Sequence, residues 1–84
     1  MAVVSVTPEA HAQFTGLPVA AQARIEKVYV RLRQWPAVSG AKPMRCDLAG
    51  HYRIRTGDYR VQFRVAGDLV TVEKVGHRDG FYGE

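Results

Sequence analysis

The 84-residue chain has little of what builds most ready-made reaction centres. Its single cysteine, Cys46, excludes an internal disulfide, and with histidines only at positions 11, 51 and 77 no CxxC or Cys/His cluster has zinc-ligand spacing. Cys46 also lacks a neighbour that would make it a nucleophile, so it reads as a small half-buried residue. One unpaired cysteine suits a reducing compartment, and a cytoplasmic location is expected. No run approaches the ~18 apolar residues of a membrane span. The start, MAVVSV, lacks the charged region of a secretion signal. There is no glycine-rich phosphate loop, no serine elbow, no repeat and no linker-like stretch, so a single domain over residues 1–84 is expected. Acids are the other scarcity: 8 against 12 lysines and arginines, for a net charge of +4. That balance fits nucleic acid, an acidic protein or anionic lipid without choosing among them.

The segment His51 to Arg64, HYRIRTGDYRVQFR, is where the positive charge gathers. Tyr52, Ile54, Val61 and Phe63 alternate with Arg53, Arg55, Arg60, Gln62 and Arg64, the period of two that half-buried strands require. Gly57-Asp58 and Gly67-Asp68 each sit between strand-like runs and suit two-residue turns with glycine first. Two-residue loops fix the register: Arg55 faces Arg60, Arg53 faces Gln62, Ile54 faces Val61 and Tyr52 faces Phe63. Across the second turn, Val65 meets Val70, Phe63 meets Val72 and Arg64 meets Thr71. Continued without a slip, this register sets Gln62 against Glu73 and Arg60 against Val75. It also leaves Lys74 on the core side and puts His77 among the arginines. A bulge near Lys74 or Val75 would restore the alternation.

Upstream, Ala2 to Val6 reads as a buried strand. Thr7-Pro8-Glu9 has the cap, first-turn proline and acid of a helix start, and Gly16-Leu17-Pro18 ends that helix. A second helix, Val19 to Gln34, carries Ala21, Ile25, Val28, Leu32 and Trp35 as one apolar stripe that packs on the sheet. Arg24, Lys27 and Arg31 form a basic ridge on another face. It reads as a solvated helix surface, with a docking surface for phosphate or an acidic partner as the rival reading. Pro36 terminates the helix, and a short strand is expected near Met44 to Leu48. The fold class is α+β: a compact β-α-α-β-β-β order, a mostly antiparallel twisted sheet and a helix pair on one face.

Two arginines opposed across a hairpin repel, so Arg55 beside Arg60 costs a few tenths to ~1 kcal/mol and points to an anionic ligand. Guanidinium groups bind phosphate bidentately, and Glu73 partly neutralises the cluster. His77 adds a residue type able to exchange protons near neutral pH, and Tyr82 a ring able to stack on a base. Together they suit metal-free phosphodiester chemistry, with positive charge for a developing phosphorane, a proton acceptor and a stacking platform.

With the element order, the segment YRIRTGDYRVQFRV and the ending TVEKVGHRDGFYGE, the chain resembles the RelE/ParE superfamily of bacterial type II toxins, and more closely its RelE branch. The resemblance implies an endoribonuclease that cuts mRNA in the ribosomal A site through attack of the message's own 2′-hydroxyl, without metal or other cofactor. It also implies a cognate antitoxin protein in a hetero-oligomer. Carried over by motif, the family's basic strand residues fall on Arg53 and Arg55. Its next-strand arginine falls on Arg60, its later arginine on Arg78 and its C-terminal tyrosine on Tyr82. The implied roles are phosphate clamping by Arg55 and Arg60, leaving-group stabilisation by Arg78 and stacking by Tyr82. Arg53 and Arg64 hold further phosphates. Well-known RelE members carry lysines on the basic strand, and arginine is a poor base, so His77 becomes the expected proton acceptor. The same superfamily implies two alternatives: a ParE-like inhibitor of DNA gyrase, and an inactive relative that only holds an acidic antitoxin.

Overall fold

The period-two segments build one five-stranded sheet. A computed structural model describes residues 1–44 and 50–81. Its elements are β1 (Val3–Val6), α1 (Pro8–Thr15), α2 (Val19–Leu32), β2 (Lys42–Pro43), β3 (His51–Thr56), β4 (Tyr59–Ala66), β5 (Leu69–His77) and α3 (Arg78–Phe81). The strands lie in the order β1-β5-β4-β3-β2. β1 runs parallel to β5 and the remaining pairs are antiparallel, giving the expected α+β fold. A two-residue strand, Lys42–Pro43, pairs with Arg53 and Tyr52, and the strand expected near Met44 to Leu48 falls, beyond Met44, outside the described residues. Positions 45–49, Cys46 among them, lie outside the described residues.

Thr7 caps α1, its hydroxyl accepting from the Ala10 N–H at 3.1 Å, with Pro8 in the first turn. The α1–α2 connection is tied by Gln22, whose amide donates to the carbonyls of Phe14 and Leu17 at 3.2 and 3.1 Å. α2 ends at Leu32, two residues before the expected Gln34. Pro36 disfavours helical backbone at Trp35, and the last turn tightens: Gln34 and Trp35 bond three residues back, to Arg31 and Leu32. The apolar stripe packs as expected. Ala21, Ile25, Val28 and Leu32 are buried, the last three in one cluster with Ile54, Val61, Phe63, Val70 and Val72. Trp35 meets the Tyr52 and Phe63 rings edge-on at 4.7 and 5.5 Å. Elsewhere on α2, burial and then the nearby Glu26 charge push the Tyr29 phenol up to about 12.

The β3–β4 register is the one the turns dictate, from Thr56 opposite Tyr59 to His51 opposite Arg64. β4–β5 agrees as far as Phe63 opposite Val72, then slips by one. The bulge falls at Glu73, one residue before the expected site. Lys74 thereby pairs with Gln62 and Val75 with Val61, and Val75 enters the core at 2% exposure. β1 ends opposite Val72, so the far half of β5 has no strand on that side. There the Val75 N–H donates to Gln13 Oε1 of α1 at 2.9 Å.

Both hairpin glycines occupy the left-handed region, Gly57 at φ 60° and Gly67 at φ 59°. A Cβ on Gly67 would meet nothing within 4 Å, whereas one on Gly57 would lie 3.2 Å from a guanidinium nitrogen of Arg24. Gly67→Ala and Gly57→Ala should each lose about 1–2 kcal/mol in chemical denaturation, because the strain is the same. The Arg24 side chain is free to yield, so a gap between the two much above ~0.5 kcal/mol would contradict this account. Tyr29 Oη is buried and has no hydrogen-bond partner among the described residues. Tyr29→Phe should therefore hold or raise stability by up to ~1 kcal/mol in the same assay.

Candidate nucleic-acid interface

The pleat sorts side chains, and the residues that alternate with the core positions face away from α1 and α2. On that outer face stand Arg53, Arg55, Arg60, Gln62, Arg64 and Lys74. Arg55 is exposed and paired with Arg60, as the turn arithmetic requires. Arg60 itself is only 8% exposed. Its guanidinium donates to the carbonyls of Tyr59 at 3.0 Å and Gly57 at 3.3 Å, and among the described residues it has no carboxylate partner. The bulge matters here, because it replaces Val75 by Gly76 as the cross-strand neighbour of Arg60. A residue without a side chain leaves that guanidinium its room. Sequence reading set Val75 there and so missed the role of Gly76; a glycine beside a pattern break was the available signal.

The opposite end of the face is neutralised. Glu73, in the bulge, takes His51 Nε2 at 3.1 Å on one oxygen and Arg64 at 3.2 Å on the other. The expected partial neutralisation by Glu73 therefore acts on Arg64, and it separates Arg64 from the Arg55–Arg60 pair.

His77 is the correction. The expectation that it joins the arginines rested on the unbulged register. With the bulge at Glu73, Gly76 follows the arginine face, while His77 pairs with Tyr59 and packs edge-on to its ring at 5.3 Å. Its Nδ1 accepts the Asp79 N–H at 3.1 Å and lies 3.5 Å from Oδ2 of the same residue. These two contacts require opposite tautomers: the amide needs the Nδ1 lone pair, the carboxylate an Nδ1 proton. Arg78 is exposed, with Nε 3.7 Å from Asp79 Oδ1, and its backbone N–H donates to the Asp58 carbonyl at 2.8 Å. That bond fixes the start of α3 beside the β3–β4 turn, and so beside Arg60. Tyr82 lies outside the described residues. Among the described residues no three His, Cys, Asp or Glu side chains stand close enough to hold a metal ion.

Two helices against one face of a five-stranded sheet, with a cationic opposite face, is an architecture with known relatives. Residues 4–80 match the family described as ParE toxin of type II toxin–antitoxin system, parDE. The chain belongs to that family, within the RelE/ParE superfamily of toxins. Among solved structures it is similar to a chain of the toxin–antitoxin complex RelBE2 from Mycobacterium tuberculosis. That match has TM-score 0.79 and 26% identity over 92% of this chain and 98% of the other. The isolated RelE toxin of E. coli matches with TM-score 0.76 and 18% identity, covering 92% and 84%. The E. coli protein YafQ covers 99% of this chain and 100% of its own at 11% identity, with TM-score 0.73. No curated protein sequence matches.

The Glu73 contacts are half exposed on the Arg64 side, which limits their worth to about 1 kcal/mol. Glu73→Gln should lower stability by no more than that, and the difference should shrink at ~1 M salt, where charges more than a few ångströms apart are screened. Thermal melts at low and high salt check it. A larger, salt-independent loss would mean that Glu73 acts by holding the bulge itself.

Proposed function

We propose that this toxin is a ribosome-dependent mRNA endoribonuclease, cutting by metal-free attack of a 2′-hydroxyl on the adjacent phosphate. The observation that carries the reading is Arg60, a nearly buried guanidinium held by two backbone carbonyls, with no carboxylate partner among the described residues and opposite a second arginine. Burying a cation without a counter-charge is costly, and opposing it to Arg55 adds repulsion; a bound phosphate would relieve both. In the reaction the 2′-oxygen forms a bond to phosphorus while the bond from phosphorus to the 5′-oxygen breaks. The 2′-hydroxyl proton passes to a base and the departing 5′-oxygen gains one, leaving a 2′,3′-cyclic phosphate. Arg55 and Arg60 clamp the phosphate and stabilise its extra charge, with Arg53 on neighbouring phosphates. Arg64 serves there too once exchanged from Glu73. Arg78 stabilises the leaving oxygen and Tyr82 stacks on a base.

His77 remains the proton acceptor in this scheme, through Nε2, although β5 sets it on the Tyr59 side and not among the arginines. The tautomer that bonds the Asp79 carboxylate carries its proton on Nδ1 and leaves Nε2 free to accept, as an orienting carboxylate does in other acid–base pairs. The partner is a cognate antitoxin that restrains the enzyme by covering the basic face, in keeping with the toxin–antitoxin complexes among its structural relatives.

A second reading has its own support: the matching family is the ParE one, and a ParE-like toxin would inhibit DNA gyrase without cutting RNA. Translation of a defined message with the purified protein, followed by mapping of 5′ ends, separates the two. Cuts at codon positions are expected. Arg60→Lys, Arg78→Ala and Tyr82→Ala, each confirmed folded, should reduce them by roughly 100-fold or more for the arginines, the usual loss for one stabilising donor, and by about 10-fold or more for the stacking tyrosine. Absent cuts together with inhibited supercoiling would establish the second reading.

A further inference from the structure

The basic ridge of α2 is not used by the site described so far, yet one end of it reaches that site. The Arg24 guanidinium lies over the Gly57-Asp58 turn, in the space that a side chain on residue 57 would need. The same turn offers its Gly57 carbonyl to the Arg60 guanidinium and its Asp58 carbonyl to the Arg78 N–H. Three separate stretches of chain therefore bring arginines to one two-residue loop. Among the described residues Arg24 has no carboxylate within 4.0 Å, although Asp58 belongs to the turn it covers. It is exposed, and Lys27 is exposed one helical turn further on, about 4.5 Å along the axis. Arg31, next on the ridge, is engaged elsewhere: its guanidinium donates to the Ser39 carbonyl at 2.6 Å.

We propose that Arg24 is a further RNA-backbone contact: the strand held by the arginine face crosses the Gly57-Asp58 turn onto α2, where Arg24 and then Lys27 take its flanking phosphates. This rests on the ribonuclease reading. Continuity selects a nucleic acid over an acidic peptide, because among the described residues the cations run unbroken by any paired acid from Arg55 and Arg60 across the turn to Arg24. Lys27 itself lines a groove together with Ala23, Glu26, Val30 and Arg31, where the acid Glu26 and the apolar Val30 interrupt the basic surface, and the track ends there. Gly57 has two duties in this arrangement. It supplies the left-handed turn conformation, and its missing side chain lets a planar guanidinium rest close to the strand's path.

The test is binding of a short, fluorescently labelled single-stranded RNA with 2′-O-methyl sugars, which cannot supply the attacking hydroxyl, at salt from ~50 to ~200 mM. Each phosphate contact contributes about 0.7 to the slope of log affinity against log salt for a single strand. Arg24→Gln and Lys27→Gln should each lower the slope by about that much and weaken binding several-fold at low salt. Arg24→Lys, which keeps the charge, should keep the slope. If Arg24→Gln binds like the parent while Arg55→Gln loses slope and affinity, the α2 track is wrong and the ribonuclease reading stands. If the parent does not bind, or Arg55→Gln also binds unchanged, the α2 track falls, while the ribosome-dependent reading is decided by the mapped cuts in translated message. Loss of slope in Arg24→Lys would show that the effect is not one of charge and would overturn the proposal, as would an Arg24→Gln defect confined to an acidic peptide.

Discussion

The bulge at Glu73 is the constraint on which the functional face depends. One extra residue in β5 changes which side every later side chain takes. Without it, Lys74 would enter the core and Val75 would crowd Arg60. With it, Val75 completes the core against Val61, and Gly76 leaves space beside Arg60. Glu73 bridges His51 and Arg64. Gln13 of α1 accepts the Val75 N–H beyond the bulge, so α1 supports the re-aimed half of the strand. Core packing and site geometry thus share one local irregularity, which is why the bulge reads as part of the site and not as a defect.

What was legible in the sequence was everything governed by period and by turn length. The stripe Ala21, Ile25, Val28 and Leu32 is buried because a spacing of three and four keeps one helix face on the sheet. The Arg55–Arg60 pairing follows from two-residue loops, since glycine at positive φ leaves no other register. The broken alternation after Val72 announced a bulge, but not which residue would be extra. The residue chosen was Glu73, whose carboxylate finds His51 and Arg64 there, and those contacts cross strands that are far apart in the chain. His77 was misplaced for the same reason: its face depended on a slip that had to be located to within one residue. The role of Gly76 and the reach of Arg24 were hidden more deeply, because both depend on where one side chain lies against another element.

The charges of the outer face are divided, not merely numerous. At one end Glu73 meets Arg64 and His51; at the other, Arg55 and Arg60 oppose each other and Arg60 relies on backbone carbonyls. Surface ion pairs are worth little, so the neutralised end adds little stability of its own. Its effect is to confine unpaired positive charge to the end of the hairpin where the Gly57-Asp58 turn and α3 begin. A uniform basic sheet would attract any polyanion. A confined patch, bounded by a neutral zone and by the turn, gives the attraction a place and a direction.

This division also explains how one family can serve more than one target. Stability comes from the layer between the helices and the sheet, where Phe63, Ile25, Leu32 and Ile54 are fully buried, and the residues of the outer face take no part in it. That face can carry opposed arginines, which a two-sided core would not tolerate, because their mutual repulsion is set against packing supplied entirely by the other side. Its chemistry can then diverge while the fold persists, so kinship fixes the architecture and leaves the target to a few side chains. In this chain those side chains are arginines gathered about one glycine turn, with a nearly buried guanidinium that no carboxylate among the described residues neutralises. Opposed arginines cost folding free energy, and that cost is what the proposed phosphate ligand would offset.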